Sequence, residues 1–284
     1  PPQPRKAEKM TPCTIILPAH DEADYIDACL NHLLDQDHPG PVTVLVVANG
    51  CSDDTADRAR AYAPRCAARN WVLRVEELAQ GGKIGALNHG DALAGPGVRL
   101  YLDADILMGP RLLSGIMRVL DVAAPRYAGG RLVVAPARSR VSRAYARFWQ
   151  KLPFVAQNVT GAGLFAVNQS GRARWGVFPQ IISDDTFARL QFQEAERFLV
   201  DEPYEWPLVE GFSTLVRVRR RQDMGVAEIT RLFPDLPPRQ GHVRPSRGEL
   251  LRLAAADPLG FATYSAVALA VRLRRNQQGW ARGR

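Results

Sequence analysis

The first 110 residues of the chain alternate between short, continuously apolar segments and segments with helical periodicity. Four of the apolar segments predict β-strands: CTIILPA (13–19), PVTVLVVANG (41–50), WVLRVEE (71–77) and VRLYLDAD (98–105). Continuous apolar strands are typical of a parallel sheet that is covered on both faces. The β-α-β order therefore predicts an α/β protein with a mostly parallel, doubly wound sheet and helices on both faces.

After residue 110 the pattern becomes mixed. Strands are expected in YAGGRLVVAPA (127–137), TGAGLFAVNQSG (160–171) and, at a sheet edge, TLVRVRRRQD (214–223), and helices in SRAYARFWQKL (142–152) and SDDTFARLQFQEAERF (183–198). Near the C-terminus, Ser246 and Glu249 form a capping-box pattern. Asp257 followed by Pro258 marks the start of a last helix.

The composition limits the environment and the partners of the chain. It has no run of 18 apolar residues and no apolar signal core, which predicts a cytoplasmic protein without a spanning helix. Its four cysteines lack the CxxC spacing of zinc or redox sites, so we interpret them as reduced core residues. The net charge of +8 favours anionic partners such as nucleotides, phospholipid head groups or nucleic acid.

Acidic and polar residues gather where the predicted strands end, in PAHDE (18–22), NGCSDDT (49–55) and DAD (103–105). Ligands of doubly wound sheets bind beyond the carboxyl ends of the strands, so these turns are expected to share one site. Asp103 and Asp105 offer the hard oxygen ligands that suit Mg²⁺ or Mn²⁺ bound to substrate phosphates. Considered alone, an Asp-x-Asp pair is more often a solvated turn.

The ordered set of motifs resembles the family 2 glycosyltransferases, which have the GT-A fold. The resemblance rests on the three turns together with GGKIGALNHG (81–90), TGAGLFAV (160–167) and SDDTFARL (183–190), and it covers roughly residues 13–225. It implies an inverting, metal-dependent glycosyltransferase that moves one sugar from a nucleotide-diphosphate sugar to an acceptor hydroxyl, with Mg²⁺ or Mn²⁺ as cofactor. It also implies a place in cell-surface polysaccharide or glycolipid synthesis.

The resemblance implies a donor-binding role for the loop after the first strand, which contains Pro18, Ala19 and Glu22. Glu22 is expected to reach the ribose hydroxyls. Asp21 stands where the family usually has asparagine, so the loop departs from the pattern at that position.

Three further segments complete the donor side that the resemblance implies. The second strand ends in Asn49 where the family usually has an acidic residue, so either Asn49 or Asp53 is expected to bond the base edge. Lys83 is expected near the base or the diphosphate. Asp103 is expected to contact the ribose or a metal-bound water, and Asp105 to bind the metal.

The acidic pair of SDDT is the source of the expected catalytic base. In the family the second residue of such a pair usually takes the proton of the acceptor hydroxyl, which implies Asp185, with Asp184 beside it. Two adjacent carboxylates also help to raise one pKa towards the working range. The alternative is that Ser183 and Asp184 cap a helix, and both roles are compatible.

The acceptor side is assigned to Gly161 and Gly163, in TGAGLFAV, and to Arg219 and Arg221. The arginines are expected to hold the diphosphate or an anionic acceptor, and the alternative is an edge strand blunted by charge. Gln222 stands where the processive polysaccharide synthases of the family carry a tryptophan, so the resemblance implies a non-processive hexosyltransferase.

These assignments divide the chain into four parts. Residues 1–12 are expected to be a loose leader, 13–110 a nucleotide-sugar-binding half, 111–235 an acceptor-binding and catalytic-base half of the same domain, and 236–284 a C-terminal helical extension.

Two other classes of function compete with the transferase. A nucleic-acid-binding protein would need aromatic residues among its arginines, and RVRRR (217–221) has none, so nucleic acid is not expected as a partner. A sugar nucleotidyltransferase would need a glycine-rich basic loop after the first strand, whereas PAHDEADY (18–25) is acidic.

The apolar segment LGFATYSAVALAVRL (259–273) bears on the acceptor, which is expected to be a sugar or a lipid-linked sugar. It is too short to span a bilayer and ends in arginines, so it is suited to peripheral contact with the inner face of the membrane. The alternative is a helix packed on the core, which its apolar composition on every side favours.

Overall fold

The computed structural model describes residues 10–236 and 245–273, so most of the expected leader and the arginine-rich tail lie outside the described residues. The strands in these ranges are β1 Cys13–Ala19, β2 Val42–Asn49, β3 Val72–Leu78, β4 Val98–Leu102, β5 Leu107–Met108, β6 Tyr127–Val134, β7 Leu164–Val167 and β8 Arg197–Trp206. They form one eight-stranded sheet in the order β3-β2-β1-β4-β7-β6-β8-β5.

The sheet joins a parallel half to a mixed half. Strands β1 to β4 pair in parallel, as the β-α-β order of the sequence predicts. Strand β7 is antiparallel to β4 and β6, whereas β8 runs parallel to β6 and antiparallel to β5. The expected α/β fold is therefore confirmed, and the carboxyl ends of β1, β2 and β4 meet at one edge of the sheet.

Helices cover both faces of the sheet. On β1, the neighbouring residues Ile15 and Ile16 are both fully buried and belong to core clusters on opposite faces. The helices are α1 Ile26–Leu34, α2 Thr55–Arg60, α3 Ala63–Ala68, α4 Lys83–Leu93, α5 Leu112–Leu120, α6 Arg140–Trp149, α7 Pro153–Ala156, α8 Gln169–Arg172, α9 Asp184–Leu190, α10 Phe212–Leu232, α11 Arg247–Ala256 and α12 Pro258–Leu273. Helices α1 and α5 pack in one cluster, and α4 and α9 in the other.

Two predictions of secondary structure are wrong. Residues 214–223 lie in helix α10 and form no edge strand: Leu215 and Val216 are buried in a cluster with Val267 and Val271 of α12, and Ile229 is buried in the cluster that contains α9. The helix predicted for 183–198 ends at Leu190, and strand β8 follows. The run Asp201–Pro203 interrupts the apolar pattern of β8 and hid it from sequence reasoning.

The C-terminal helices begin as predicted. The capping box of Ser246 and Glu249 is formed, and Asp257 Oδ1 accepts a hydrogen bond from the Gly260 N–H at 2.9 Å. Helix α12 packs on α6 and α10 through Val267 and Val271. Within the two described ranges, no single helix has the length and hydropathy to cross a bilayer; α11 and α12, bent by 120°, meet that test only as a pair.

Candidate active site

The turn after β4 directs two carboxylates to the same side of the chain. Asp103 and Asp105 are half-buried, whereas Ala104 and Ile106 are fully buried. The Ile106 N–H donates to the Asp103 carbonyl at 3.2 Å and closes the turn. Both carboxylates line one cavity, as the sequence predicts for residues two apart at a strand end.

The glycine-rich loop before β7 lies against this turn. The Asp103 N–H donates a hydrogen bond of 2.8 Å to the Gly163 carbonyl. Gly161 and Gly163 have φ angles of +79° and +70°, which side chains other than glycine rarely adopt, and a Cβ on Gly161 would collide with the Tyr127 hydroxyl. The two expected acceptor-side glycines therefore set the backbone path beside Asp103.

Lys83, at the start of α4, joins the turn after β4 to helix α9. Its Nζ lies 2.8 Å from Asp103 Oδ1 and 3.3 Å from Asp184 Oδ2. Asp184 is only 6% exposed. Ser183 stands at the N-cap position of α9, but among the described residues its hydroxyl makes no capping hydrogen bond, so the alternative role of a side-chain cap is not formed by Ser183. Asp184 pairs with Lys83.

Burial and mutual proximity shift the protonation of this cluster. Burial and the Asp184 carboxylate raise the pKa of Asp185 to about 6, against the opposing effect of Lys83. Burial also raises the pKa of Asp184, although Lys83 counteracts it. Desolvation would lower the pKa of Lys83, but Asp103 and Asp184 outweigh it and raise that pKa above its usual range. A permanent cation and a carboxyl group suited to proton transfer therefore lie side by side.

These charged side chains line an open cavity of about 540 Å³, a size typical of small-molecule sites. Helix α10 and the loop between β8 and α10 form the facing wall. The lining residues outside the charged cluster include Tyr25, Ile182, Trp206, Pro207, Leu208, Val209, Glu210, Val218, Arg221 and Gln222.

The turns after β1 and β2 are tied together through Asn49. Its side chain is 2% exposed, and its Nδ2 donates to the Ala19 carbonyl at 2.7 Å. Its Oδ1 accepts a hydrogen bond of 2.8 Å from the Gly82 N–H, next to Lys83. Asp53 accepts hydrogen bonds from Thr55 and from the Ala23 N–H. In this structure both side chains hold the turns after β1 and β2 in place.

The loop after β1 joins the same network. Pro18 and Ala19 are the last residues of β1, and the Glu22 N–H donates to Thr55 Oγ1 at 2.8 Å. Asp21, with a φ angle of +53°, accepts a hydrogen bond of 2.7 Å from the Ser52 N–H, which lowers the pKa of Asp21. The loops from the first two strands thus form one unit at the sheet edge.

Cysteine and carboxylate atoms approach one another in this unit. All four cysteines lie in the described ranges and are free, as the sequence predicts. Cys51 Sγ and carboxylate oxygens of Asp21 and Asp53 lie within 4.8 Å of one another. The Asp53 and Asp21 carboxylates already accept hydrogen bonds from the N–H groups of Ala23 and Ser52. The cluster therefore stabilises the conformation of the two loops.

The two arginines assigned to the acceptor side have different surroundings. Arg221 lines the cavity. Arg219 is turned towards the C-terminal helices, where its Nε lies 3.1 Å from Asp223 Oδ1 and its guanidinium lies 5.8 Å from the centre of the Tyr264 ring. Arg219 therefore joins α10 to α12, and of the two only Arg221 is placed at the cavity.

Sequence reasoning missed the wall opposite the carboxylates. Trp206, Leu208 and Val209 belong to the end of β8 and its following loop, and β8 was not predicted. Because the residue before a proline favours an extended conformation, the Trp206–Pro207 sequence could have indicated an extended segment here.

The family assignment rests on sequence as well as on geometry. The sequence model of glycosyl transferase family 2 matches residues 14–173, more than half of the chain, so the chain belongs to that family. No curated protein sequence gives a significant match.

Solved structures of glycosyltransferases share the fold. The mannosyltransferase PcManGT from Pyrobaculum calidifontis, in complex with GDP-Man and Mn²⁺, has a TM-score of 0.59 and 19% identity over 92% of this chain and 75% of its own. TarS 1–349 from S. aureus, in complex with UDP, has a TM-score of 0.54 and 16% identity over 92% and 91%. Mannosyl-3-phosphoglycerate synthase from Rubrobacter xylanophilus has a TM-score of 0.53 and 20% identity over 80% and 76%. The expected GT-A fold is therefore confirmed.

We expect Asp185→Asn to stabilise the folded protein at neutral pH. The folded pKa of about 6 lies above the unfolded value of about 4, so stability falls as the pH rises from about 4 through 6. An amide does not titrate, so the variant should gain about 1–2 kcal/mol in the free energy of unfolding at pH 7.5 and little at pH 4. Urea unfolding at both pH values measures this difference. A gain that is the same at both pH values would contradict the raised pKa of Asp185.

Proposed function

We propose that the protein is an inverting, metal-dependent, non-processive hexosyltransferase that uses a nucleotide-diphosphate sugar. The main support for this proposal is that Asp103 and Asp105 share one cavity with Asp184 and Asp185, with Lys83 between the two pairs. The first pair suits the diphosphate end of a donor, and the second suits removal of a proton from an acceptor. Both pairs must face one anomeric carbon, which a single cavity allows.

Asp103 and Asp105 fit a divalent metal ion. Both are half-buried, both line the cavity, and carboxylate oxygens are the ligands that Mg²⁺ and Mn²⁺ prefer. These two side chains would hold the ion, which would supply Lewis-acid stabilisation of the charge on the departing diphosphate. The complex of PcManGT with GDP-Man and Mn²⁺ supports the assignment on the same fold.

The nucleoside of the donor is proposed to bind along the turns after β1 and β2. Pro18, Ala19 and Glu22 would border the ribose, and Asn49 or Asp53 would reach the base after a change of loop hydrogen bonds. Structures of this fold contain UDP in TarS and GDP-Man in PcManGT, so it accommodates both a pyrimidine and a purine base.

Asp185 is proposed as the general base. The acceptor hydroxyl oxygen attacks the anomeric carbon, and its proton passes to a carboxylate oxygen of Asp185. The new carbon–oxygen bond forms opposite the diphosphate, and the bond from the anomeric carbon to the diphosphate oxygen breaks with its electron pair on the diphosphate. One displacement inverts the configuration. Lys83 pairs with Asp184, which leaves the neighbouring Asp185 to take the proton.

The acceptor is proposed to be a sugar or a lipid-linked sugar of cell-surface polysaccharide or glycolipid synthesis, glycosylated on the cytoplasmic side with peripheral membrane contact. Helix α12 is apolar on every side but only partly packed on the core: it buries Val267 and Val271 and leaves an apolar stripe exposed. Arg252 and Arg272 lie exposed on α11 and α12, so the helix pair fits an anionic lipid surface. The exposed stripe is Leu259, Ala262, Ala266, Leu269 and Leu273.

Asp105→Ala is expected to fold normally but to lose Mn²⁺-dependent nucleotide binding, because it removes a hard ligand from the cavity. Calorimetric titration of UDP and GDP, with and without Mn²⁺, measures the loss. Asp201→Ala, which changes a carboxylate that is 93% exposed, is the matched control. Full activity of the wild-type enzyme in excess chelator would show that the metal role is wrong.

Asp185→Asn is expected to lower turnover by about 10²- to 10⁴-fold, the usual contribution of a positioned base, with little change in donor affinity. Asp184→Asn is the comparison variant, measured by the same steady-state assay of nucleoside diphosphate release. If turnover is nearly unchanged in Asp185→Asn but strongly reduced in Asp184→Asn, the general base is Asp184.

Full-length protein is expected to co-sediment with anionic liposomes, and Leu269→Glu to weaken that binding by about tenfold or more, because a leucine side chain leaves the bilayer interface. Leu269 is 57% exposed, so the change should leave the fold intact. Val177→Glu, at a residue that is 75% exposed in another part of the chain, is the control. Equal binding by all three proteins would exclude α12 as the contact.

A further inference from the structure

We infer that the acceptor is an amphiphile whose anionic group binds Arg221 and whose apolar body lies along the wall formed by Trp206, Pro207, Leu208 and Val209. The inference rests on the proposed function and names the class of acceptor for the same site. It follows from the composition of the cavity, from the surroundings of Arg221 and from what lies behind the wall.

The cavity has a charged side and an apolar side. Beyond the carboxylate cluster, the lining is dominated by the apolar residues of the Trp206–Val209 wall, with Ile182 and Val218. Tyr25, Ser183, Gln222 and Glu210 are polar members of the lining, and the Glu210 carboxylate accepts hydrogen bonds from the N–H groups of Arg138 and Ser139. Along the Trp206–Val209 wall itself, a sugar ring would find few partners for its hydroxyl groups, whereas an apolar body would be well matched.

Arg221 is the cation that this side of the cavity offers to an anion. Within residues 10–236 and 245–273 it makes no hydrogen bond or ion pair, whereas Arg219 on the same helix is paired with Asp223. Five carboxylates line the cavity, those of Asp103, Asp105, Asp184, Asp185 and Glu210, so an anionic acceptor would be repelled without a facing cation. A guanidinium binds phosphate or carboxylate through parallel hydrogen bonds, which fits an anionic head group.

The position of Arg221 relates the anion to the proposed base. Gly225, one helical turn further along α10, packs so closely on Ser183 that a Cβ there would collide with the serine hydroxyl. Ser183 is two residues from Asp185. Residues four apart in a helix are about 6 Å apart along its axis, and Arg221 and Asp185 line the same cavity, so an anion on Arg221 would hold the acceptor in the cavity that contains the proposed base.

The apolar wall is continuous with the C-terminal helices. Leu208 and Val209 line the cavity on one side and pack on the other against the cluster that contains Val267 and Val271 of α12. Helix α12 carries the exposed leucine stripe on its outer side. An acceptor with an apolar body would therefore bind next to the surface that fits lipid.

The test compares three probes on the full-length protein: farnesyl phosphate, farnesol and glucose 1-phosphate. Isothermal titration in the presence of Mn²⁺ and UDP measures their binding below the micelle concentration of the lipids. We expect farnesyl phosphate to bind, and Arg221→Ala to weaken it by about tenfold or more, the usual effect of losing a charged hydrogen-bond partner. Arg231→Ala, an exposed arginine on the same helix outside the cavity lining, should bind farnesyl phosphate as the wild type does.

Each outcome separates the parts of the inference. If glucose 1-phosphate binds as tightly as farnesyl phosphate, the apolar body contributes nothing to binding. If farnesol binds as tightly, the anionic group contributes nothing. Either result would overturn the inference of an amphiphilic acceptor. Equal loss in Arg221→Ala and Arg231→Ala would show nonspecific charge attraction and overturn the role of Arg221. If no probe binds although Mn²⁺ and UDP do, the acceptor class is wrong while the transferase proposal stands; if Mn²⁺ and UDP also fail to bind, the transferase proposal itself fails.

Discussion

The ion pairs of Lys83 with Asp103 and Asp184 hold together the two carboxylate pairs on which the cavity depends. Four carboxylates that face one space repel one another, and partial burial strengthens the repulsion. Lys83 offsets it at the point where the parallel half of the sheet meets helix α9. The same ammonium group counteracts the rise that burial causes in the pKa of Asp184, whereas burial and the Asp184 carboxylate raise the pKa of Asp185 to about 6.

Around this charge cluster, the chain relies on backbone contacts for its geometry. Asn49 ties the ends of β1 and β2 to the residue before Lys83, and Gly161 and Gly163 let the loop before β7 pass beside Asp103. These contacts hold the turns that carry Lys83 and Asp103, whereas the opposite wall of the cavity consists of side chains on α10 and on the loop before it.

The sequence predicts the parallel half of the fold well because β1, β2 and β4 are largely buried and apolar, whereas the edge strand β3 carries charged residues and is half exposed. It also places Asp103, Asp105, Lys83 and Asp185, since a motif with fixed spacing sets each of them at a strand or helix end. It fails at β8, whose polar residues obscure the pattern, and therefore misses the wall that contains Trp206. The separation of Arg219 from Arg221 depends on Tyr264, 45 residues away, and no local pattern contains that contact.

The pairing of β5 with β8 has a geometric consequence for the shape of the sheet. Strand β5 begins five residues after β4 ends, yet three strands separate the two in the sheet order. A flat sheet would place them about 19 Å apart at the usual strand spacing, whereas the turn at Asp103–Ile106 spans less than about 7 Å. The mixed half must therefore curl back on itself like a partly closed barrel. Asp103 and Asp105 belong to that turn, so their carboxylates lie where the first and last strands of the curled half, β4 and β5, come together.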